Sequence, residues 1–488
     1  MKRRLPAVFY NPLSIVGGAI AAINIALIVA LTILMIFTKH AGPYADIIVY
    51  FLLPLIALGG LVLVGIGVMR ERRRQKRGMP ERRLPVLDFN DPKQRGAVLT
   101  LGVAVGGLTL LYAFTGYKAY EYSESTQFCG VTCHGVMQPE YTAHKFSYHA
   151  EVTCAECHVG EGAEYFVEAK LSGTRQLIGV LVGRYPRPIP VPVHNLRPSQ
   201  DTCETCHGPR YQFAERLESH TYFLADETNT PWTVDMILKM GQANIAADRP
   251  ARMHWHYSTT KEIQYATADP KRMDIPWVQS ARRDGSVRTY RNKESKLSAA
   301  ELAALPKRTM DCVDCHNRAG HYFRPPGLLV NALLNLKVID PKLPGIKAAA
   351  VEALDAKYAT REEAHAGIRR RIEKLSGPKP QIDKAITELR NVYDRNYDPH
   401  MKVSWRDFPD NAGHMYSPGC FRCHDGKHVS DDGKVLSQDC TLCHTLLTHE
   451  LAADRLSATV KLMEHPHPVD IGDALKEGSC VDCHGAQQ

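Results

Sequence analysis

Every cysteine of this chain lies in a pair that a histidine follows directly. The chain has 488 residues and 14 cysteines. The seven sets are Cys129/Cys133/His134, Cys154/Cys157/His158, Cys203/Cys206/His207, Cys312/Cys315/His316, Cys420/Cys423/His424, Cys440/Cys443/His444 and Cys480/Cys483/His484. Two thiols on one short turn can bond the two vinyl groups of a porphyrin, and the adjacent imidazole can then bind its iron. The pattern therefore predicts seven covalently bound haem c groups.

Two other kinds of site use paired cysteines, and the spacing disfavours both. Structural zinc sites contain Cys-x-x-Cys pairs, but zinc does not require a histidine directly after every second cysteine. A disulfide framework would not place all 14 cysteines in such close pairs. Six motifs are C-x-x-C-H, whereas the first, C-x-x-x-C-H, has one more residue between its cysteines.

Three apolar segments near the N-terminus could anchor the haem-bearing part in a membrane. Residues 14–37 and 47–69 are long enough to span a bilayer, with Asn24 and Pro54 as interruptions, and residues 97–114 are at the lower limit of length. The first segment exceeds the apolar region of a cleaved signal peptide and has no obvious small-residue cleavage site. We therefore expect an uncleaved anchor of three transmembrane helices.

Lysine and arginine residues indicate the orientation of this anchor. Residues 2–4 and 70–83 are rich in both, and such clusters stay on the cytoplasmic side. Residues 2–4 and 70–95 together carry a charge of +9, against +8 for the whole chain. The basic balance is thus a topology signal, with contact to anionic lipid as a secondary role, and it gives no reason to expect nucleic-acid binding. We expect a cytoplasmic N-terminus and a haem domain on the periplasmic side of a bacterial inner membrane.

The spacing of the motifs divides the chain into four parts. We expect a membrane anchor over 1–116 with a basic cytoplasmic loop at 70–96, a tetrahaem domain over 117–325, a helical connector over 326–415 and a trihaem segment over 416–488. A haem-free insertion at 209–310 has patterns typical of short strands and loops, and its segment Met253-His254-Trp255-His256-Tyr257 alternates like a strand. In the connector, Thr360 and Glu363 can form a capping box. The expected fold class is a multihaem cytochrome c in which N-terminal transmembrane helices precede a mainly α-helical and irregular, haem-packed periplasmic domain with little β-structure.

Several of these features occur together in a known family. They are a transmembrane helix, a first haem motif followed by methionine (Cys129 to Met137), Ser147-Tyr148-His149-Ala150 shortly before the second motif, and a fourth motif with a second histidine (Cys312 to His321). In these features, residues 97–321 resemble the NapC/NirT/NrfH family of membrane-anchored tetrahaem quinol dehydrogenases. With its extra helices and three further motifs, the whole chain is similar to the seven-haem inner-membrane cytochromes of metal-reducing bacteria, the ImcH type.

The resemblance implies distal ligands for two haems and leaves one axial position open. His149 would bind the iron of the fourth haem, and His321 would bind that of the third. In the first motif Met137 follows His134 by three residues, where the family has two. Either His134 or Met137 could therefore bind the first iron.

The resemblance also implies a site for menaquinol. Lys170 lies where the family carries a quinol-site lysine, and Arg175 is nearby, although a lysine on a solvated helix face fits equally well. The family's acidic residue, expected around positions 176 and 177, is missing. Glu164 and Glu168 are the candidates to replace it.

Electron-transfer haems need a sixth ligand, usually histidine, and 15 of the 22 histidines lie outside the motifs. Beside His149 and His321, the candidate distal ligands are His254, His256, His414, His428, His449, His465 and His467. His449 follows His444 by five residues, as His321 follows His316. Because His254 and His256 alternate along an expected strand, only one of them should face a given haem. We assign His40, His194, His220, His365 and His400 to the surface.

Three functions from different classes fit these residues. The first is a menaquinol-oxidising cytochrome that passes electrons along its haems to periplasmic c-type cytochromes or a periplasmic reductase, in anaerobic or extracellular respiration. The second is a passive electron-transfer wire fed by a partner quinol oxidase. The third is a terminal reductase for nitrite or hydroxylamine, which needs a haem with an open coordination site. This third function is disfavoured because the sequence has no C-x-x-C-K motif. It also has enough spare histidines to fill the open coordination sites.

Overall fold

The structure is a computed structural model of the chain. It describes residues 6–38, 49, 52–80, 90–132, 135–159, 163–193, 196, 198–207, 215–241, 253–257, 261–282, 285–451, 454–457, 467–474 and 478–484. Cys133, His134, His465 and the side chains of Glu164 and His449 lie outside this description. The chain divides into two compact units, residues 1–125 with 159–175, and residues 126–158 with 176–488.

Helices make up about half of the described chain. The α-helices are α1 Pro12–Thr38, α2 Leu53–Lys76, α3 Pro92–Ser123, α4 Gln138–Lys145, α5 Cys154–His158, α6 Ala163–Leu181, α7 Ser199–Cys203, α8 Ala299–Ala304, α9 Cys312–Cys315, α10 Pro326–Asn335, α11 Ile346–Asp355, α12 Arg361–Ile372, α13 Lys379–Asn396 and α14 Cys480–His484. Tighter turns are found at Ala7–Phe9, Gly135–Met137, Met253–Tyr257, Gly419–Arg422 and Cys440–Leu442, and a wider π-type turn is found at Phe128–Thr132.

Two antiparallel sheets are present in the second unit. Their strands are β1 Arg216–Phe223, β2 Pro231–Leu238, β3 Lys261–Ala266, β4 Trp277–Arg282, β5 Val287–Asn292, β6 Lys307–Thr309, β7 His428–Ser430, β8 His444–Leu451 and β9 Asp454–Ser457. The orders are β1-β2-β8-β9 and β6-β3-β4-β5-β7. The expectation of little β-structure is therefore wrong. Strands of the insertion pair with strands of the trihaem segment, β2 with β8 and β5 with β7.

In the first unit, α1 and α2 pack closely through small residues. Asn11 caps α1, because its Oδ1 accepts the backbone N–H of Ser14 at 2.9 Å. A Cβ atom at Gly60 would lie 2.7 Å from the Gly17 carbonyl oxygen, and Ser14 Oγ donates across the interface to Val64 O at 3.2 Å. Such small-residue contacts are typical of helices that associate in a bilayer.

Two helices of the described chain are long and apolar enough to cross a membrane, over Pro12–Ile33 and Leu53–Lys76. They correspond to the first two spans expected from the sequence. The third expected span, 97–114, lies within helix α3, and its crossing of the membrane stays a prediction.

The main hydrophobic core of the second unit lies in the expected connector. Helices α10 to α13 bury Val330, Ile346, Leu354, Ile368 and Leu389 almost completely. Thr360 caps α12 by accepting the N–H of Glu363 at 3.1 Å, and the Glu363 carboxylate accepts from the N–H of Ala359 at 2.8 Å. Each fully buried Leu or Ile contributes roughly 1.5–3 kcal/mol. These helices therefore supply a stable protein core for the second unit.

Candidate haem sites

Among the described residues, short helical turns carry the cysteines of the second to seventh motifs. A backbone hydrogen bond connects His316 N to Cys312 O at 2.8 Å, and the same bond in the third motif, from His207 N to Cys203 O, is 2.7 Å long. In the fifth motif, His424 N donates to Cys420 O at 3.0 Å. This four-residue spacing is one helical turn, so it places the first sulfur and the imidazole on the same side.

The first motif differs from the others in its backbone. Its extra residue lies in the π-type turn Phe128–Thr132, and a turn of this kind accommodates one residue more than an α-helical turn. Gly130 packs against the side chain of Tyr141, so that a Cβ atom at Gly130 would collide with the ring. Met137 ends the following tight turn and is half-buried. Because His134 is outside the described residues, the axial ligand of this motif stays open between His134 and Met137.

The sulfur atoms of successive motifs lie beside one another in chain order. Cys129 lies close enough to Cys154, and Cys312 close enough to Cys203, to shift the pKa of that thiol. The remaining neighbours interact electrostatically, and they are Cys157 with Cys206, Cys315 with Cys420, Cys420 with Cys443 and Cys440 with Cys480. With haem attached these sulfurs would be thioethers, which have no proton. Only their proximity, and not their pKa values, therefore bears on how the motifs are arranged. Each of the seven motifs therefore adjoins the next one.

Cys483, expected from the sequence to bind the last haem, differs from most other cysteines in its surroundings. It is exposed, as are Cys206 and Cys440, whereas the other described cysteines are partly buried. Cys206 and Cys440 each have a sulfur of a neighbouring motif beside them, while Cys483 interacts with Cys480 of its own motif. The thioether bond of Cys483 to haem stays a prediction.

Histidines outside the motifs lie opposite motif histidines at a characteristic distance. The ring-centre separations are 6.1 Å for His158 and His321, 5.9 Å for His207 and His149, 5.7 Å for His424 and His256, 6.2 Å for His444 and His414, and 6.2 Å for His484 and His467. A metal–imidazole bond is roughly 2 Å long. Two imidazoles on opposite sides of one metal therefore have ring centres about 6 Å apart. The observed separations fit this arrangement.

Hydrogen bonds orient these rings through one nitrogen and leave the other available. Nδ1 of His149 pairs with Ala319 O at 3.0 Å, Nδ1 of His321 with Glu140 O at 2.9 Å and Nδ1 of His467 with Val469 O at 2.8 Å. A carbonyl oxygen only accepts, so in His149 and His321 Nδ1 carries the proton and Nε2 keeps its lone pair. Nδ1 of His467 also lies 3.4 Å from Val469 N. Burial lowers the pKa of His321 to about 4, which keeps its ring neutral.

The pairing of two histidines differs from the one that the resemblance implies. His149 faces His207 of the third motif, where the fourth had been expected, and His321 faces His158 of the second motif, where the third had been expected. In the fourth motif, His316 has His254 as an electrostatic neighbour.

His428 is a poor candidate ligand because both of its ring nitrogens are occupied. Nδ1 lies 2.8 Å from an Asp425 carboxylate oxygen, and Nε2 lies 2.7 Å from Ile275 O. The ring is completely buried, so neither nitrogen can turn toward an iron without losing a buried hydrogen bond. We therefore remove His428 from the set. His414, in contrast, has a buried Nδ1 with no hydrogen-bond partner among the described residues.

Two buried residues near the second haem motif were missed by the sequence analysis. The ring centre of His144 lies 5.9 Å from that of His321, and Glu140 lies one helical turn before it on the buried face of α4. Burial raises the pKa of Glu140 to about 7, and its Oε2 has no hydrogen-bond partner in the described part of the chain. The buried pattern Pro139, Glu140, Ala143 and His144 on one helix could have indicated both.

The expected quinol-site residues lie on α6, in the first unit, but on different faces. Glu164, Glu168 and Arg175 follow one another at four and seven residues and so share a face, whereas Lys170 does not. Glu168 and Arg175 are exposed. Lys170 Nζ lies 2.9 Å from Oε1 of Glu124, a residue directly after α3 that is largely buried. Glu124, which the sequence analysis did not consider, is thus an acidic partner of Lys170. The roles of Glu168 and Glu164 at a quinol site stay predictions.

The residues present fit haem c as the group to be bound. Each motif from the second to the seventh has two cysteines on a turn, a motif imidazole and a second imidazole beside it. Two imidazoles complete the coordination of an iron whose four other positions are filled by a porphyrin.

Comparisons with known proteins agree with this donor set. Residues 91–188 match the model of the NapC/NirT cytochrome c family, N-terminal region. The chain is 39% identical over 495 residues to the cytochrome c-type protein ImcH of Geobacter sulfurreducens, and the match covers 99% of this chain and 97% of that protein. No solved structure matches the chain. The resemblance seen in the sequence is therefore confirmed.

Proposed function

The chain belongs to the c-type cytochrome family that ImcH represents, with a NapC/NirT region near its N-terminus, and from this premise we propose that it oxidises menaquinol and passes the electrons along seven haems. The electrons would leave to periplasmic c-type cytochromes or a periplasmic reductase. The family and the two apolar helices support a membrane-anchored electron-transfer protein. The number of haems, the quinol and the acceptors are part of the proposal.

The single observation that carries the proposal is the continuous order of the motifs in space. Sulfurs of each motif adjoin those of the next, from Cys129 to Cys480, with no motif left aside. Bound haem supplies one-electron chemistry at its iron. The protein's part is to hold neighbouring groups in line and to keep their imidazoles neutral and oriented. Seven sites, each a neighbour of the next, favour conduction over a dead-end redox centre.

Oxidation of a quinol also requires a place for its protons. Menaquinol releases two electrons and two protons to become menaquinone. The ammonium of Lys170 can orient the quinol oxygen, and the carboxylate of Glu124 can accept one proton at a time and release it to water. The first haem motif begins at Cys129, six residues after α3 ends at Ser123. We therefore assign the first haem as electron acceptor and the Glu124–Lys170 pair as proton acceptor.

We also propose that the N-terminus is cytoplasmic and that the haem domain faces the periplasm of the inner membrane. The support is the basic clusters at residues 2–4 and 70–83 and the usual site of haem attachment. Protons from the quinol would then leave on the same side as the electrons.

A passive wire and a terminal reductase make different predictions for the purified protein. With a menaquinol analogue as reductant, a quinol dehydrogenase is reduced directly, whereas a passive wire is reduced only after addition of a partner oxidase. The paired imidazoles at motifs two to seven leave little room for a small oxidant on iron, which disfavours a reductase of nitrite or hydroxylamine. Spectroscopic titration with the quinol analogue tests the proposal. If the quinol analogue reduces no haem, the passive electron-transfer wire explains the protein better than the quinol dehydrogenase does.

A further inference from the structure

The segment Met253–Tyr257 of the insertion is held at the end of strand β2. The backbone N–H of Met253 donates to Lys239 O at 3.1 Å, and that of His254 donates to Met240 O at 2.8 Å. The segment forms a tight turn with three residues per turn, where the sequence had indicated a strand. In such a turn, successive side chains point about 120° apart. His254 and His256 therefore point in different directions, and one iron cannot take both.

His256 faces the histidine of the fifth motif. Its ring centre lies 5.7 Å from that of His424, with the two rings nearly perpendicular at 89°. Nδ1 of His256 lies 2.8 Å from Met253 O, and Nδ1 of His424 lies 2.9 Å from Ser437 O. Both rings are thus held through Nδ1, and both keep an Nε2 lone pair.

His254 adjoins the histidine of the fourth motif. Nδ1 of His254 lies 3.3 Å from Gly241 O, so this ring is also held through Nδ1. His254 is an electrostatic neighbour of His316, as are Asp410 and His207. The fourth motif has His254 beside it, while His149 and His321 face the third and second motifs.

The residue between the two histidines anchors the segment to the protein. Trp255 packs against the buried cluster of Ile263, Tyr265, Ile275 and Val278. The same cluster contacts Met310, two residues before the fourth motif, and Cys423 of the fifth motif. One small core therefore holds both motifs and the segment between them.

Arg422 ties the two motifs together directly. It lies within the fifth motif, and its guanidinium donates to Asp314 O in the fourth motif at 2.8 Å and to Arg272 O at 2.9 Å. Asp314 is 2% exposed, and its carboxylate accepts from Tyr265 Oη at 2.7 Å and from Arg272 at 2.8 Å. Buried networks of this kind hold their members in one arrangement. The distance between the two motifs is thus fixed by the protein.

We propose that the segment Met253–Tyr257 bridges two haems, with His254 as distal ligand of the fourth and His256 as distal ligand of the fifth. The insertion thereby connects the tetrahaem domain to the trihaem segment. If haem is bound at both motifs, the segment would hold the two haems between which one electron passes, and each haem would supply one-electron chemistry at its iron. The proposal rests on haem binding by both motifs, which is part of the proposed function.

The test counts the coordination sites that substitution opens. His254→Ala, His256→Ala and the double variant are purified as full-length chains, and the haem-to-protein ratio is measured first. Each single variant should bind one more carbon monoxide per chain than the parent in the reduced state, and the double variant should bind two more. His220→Ala is the matched control, because His220 lies on β1 of the same insertion with its side chain half-exposed, and it should behave as the parent.

Different outcomes contradict different statements. A double variant that binds only one more carbon monoxide would show that both histidines serve the same iron, and no increase in any variant would show that neither is a ligand. A parent with fewer than seven haems would contradict the proposed haem content instead. If an alanine variant loses haem, His254→Met and His256→Met replace it, since methionine can also bind iron. Each should convert one haem to the absorption spectrum of imidazole–methionine coordination, and unchanged spectra would overturn the proposal.

Discussion

The substitution Glu124→Gln tests whether the Glu124–Lys170 pair takes protons from quinol or only stabilises the fold. Glutamine keeps the size of the side chain and can still accept a hydrogen bond from Lys170, but it cannot take a proton. Lys170 Nζ and Glu124 Oε1 are 2.9 Å apart, and the two side chains are 42% and 16% exposed, respectively. A partly exposed ion pair contributes at most about 1 kcal/mol. The protein should therefore fold and bind haem normally.

The expected effect on the reaction is much larger than the effect on stability. Loss of a general base typically reduces a rate by a factor of about 100 or more, which corresponds to roughly 2.7 kcal/mol in the barrier. We expect kcat/KM for a menaquinol analogue to fall by about this factor. Reduction by dithionite, which needs no proton acceptor, should remain as in the parent. Stopped-flow absorbance of the haems measures both rates.

An exposed pair on the same part of the chain provides the matched control. Lys118 and Glu121 on α3 are 2.7 Å apart, and both side chains are 55% exposed. Glu121→Gln should leave reduction by quinol unchanged. If Glu124→Gln is reduced by the quinol within about threefold of the parent rate, the pair is structural and electrons are received elsewhere.

Four further results are expected. The pyridine haemochrome of the purified chain should give seven haems, and a value near four would leave the last three motifs of the sequence unoccupied. Protease added to spheroplasts should digest the haem-bearing part and spare the basic loop at 70–83, whereas the reverse pattern would overturn the topology. Gly130→Ala should reduce haem attachment at the first motif, measured as the loss of one haem per chain, because its Cβ would collide with Tyr141. Burial lowers the pKa of Lys347 to about 7, so between that pH and the usual pKa of 10.4 the unfolded chain binds one proton more than the folded chain. The free energy of unfolding of α10 to α13, measured by amide hydrogen exchange, should therefore rise with pH in this range by up to about 1.4 kcal/mol per pH unit. In Lys347→Met this rise should be lost.

The haem motifs could be predicted from the sequence because their chemistry is local. Two cysteines and a histidine act within five or six residues, so no tertiary information is needed to recognise them. The same holds for the cap at Thr360, where donor and acceptor are three residues apart. The family was also recognisable, since its features follow one another along the chain.

The pairs of facing histidines were only partly predictable because their members come from distant positions. His149 and His207 are 58 residues apart, and His256 and His424 are 168 residues apart. From the sequence, His428 and His414 were equal candidates for a distal ligand. Only the contacts of their ring nitrogens distinguish the two. The strand pairing of β2 with β8 connects residues more than 200 positions apart and leaves no local signal in the sequence. The content of β-structure was underestimated for that reason.

The position of the bridging histidines in the chain has a consequence for assembly. His254 and His256 precede both of the motif histidines that they face, and the fifth motif follows the helical core of α10 to α13. On the proposed bridge, the fifth haem would complete its coordination only after the insertion and the trihaem segment have come together, as they also do through β5 and β7. Because Cys315 of the fourth motif neighbours Cys420 of the fifth, loss of the bridge would then stop electrons at the fourth haem. The insertion, which carries no haem motif of its own, would then be as necessary for conduction as the motifs on either side of it.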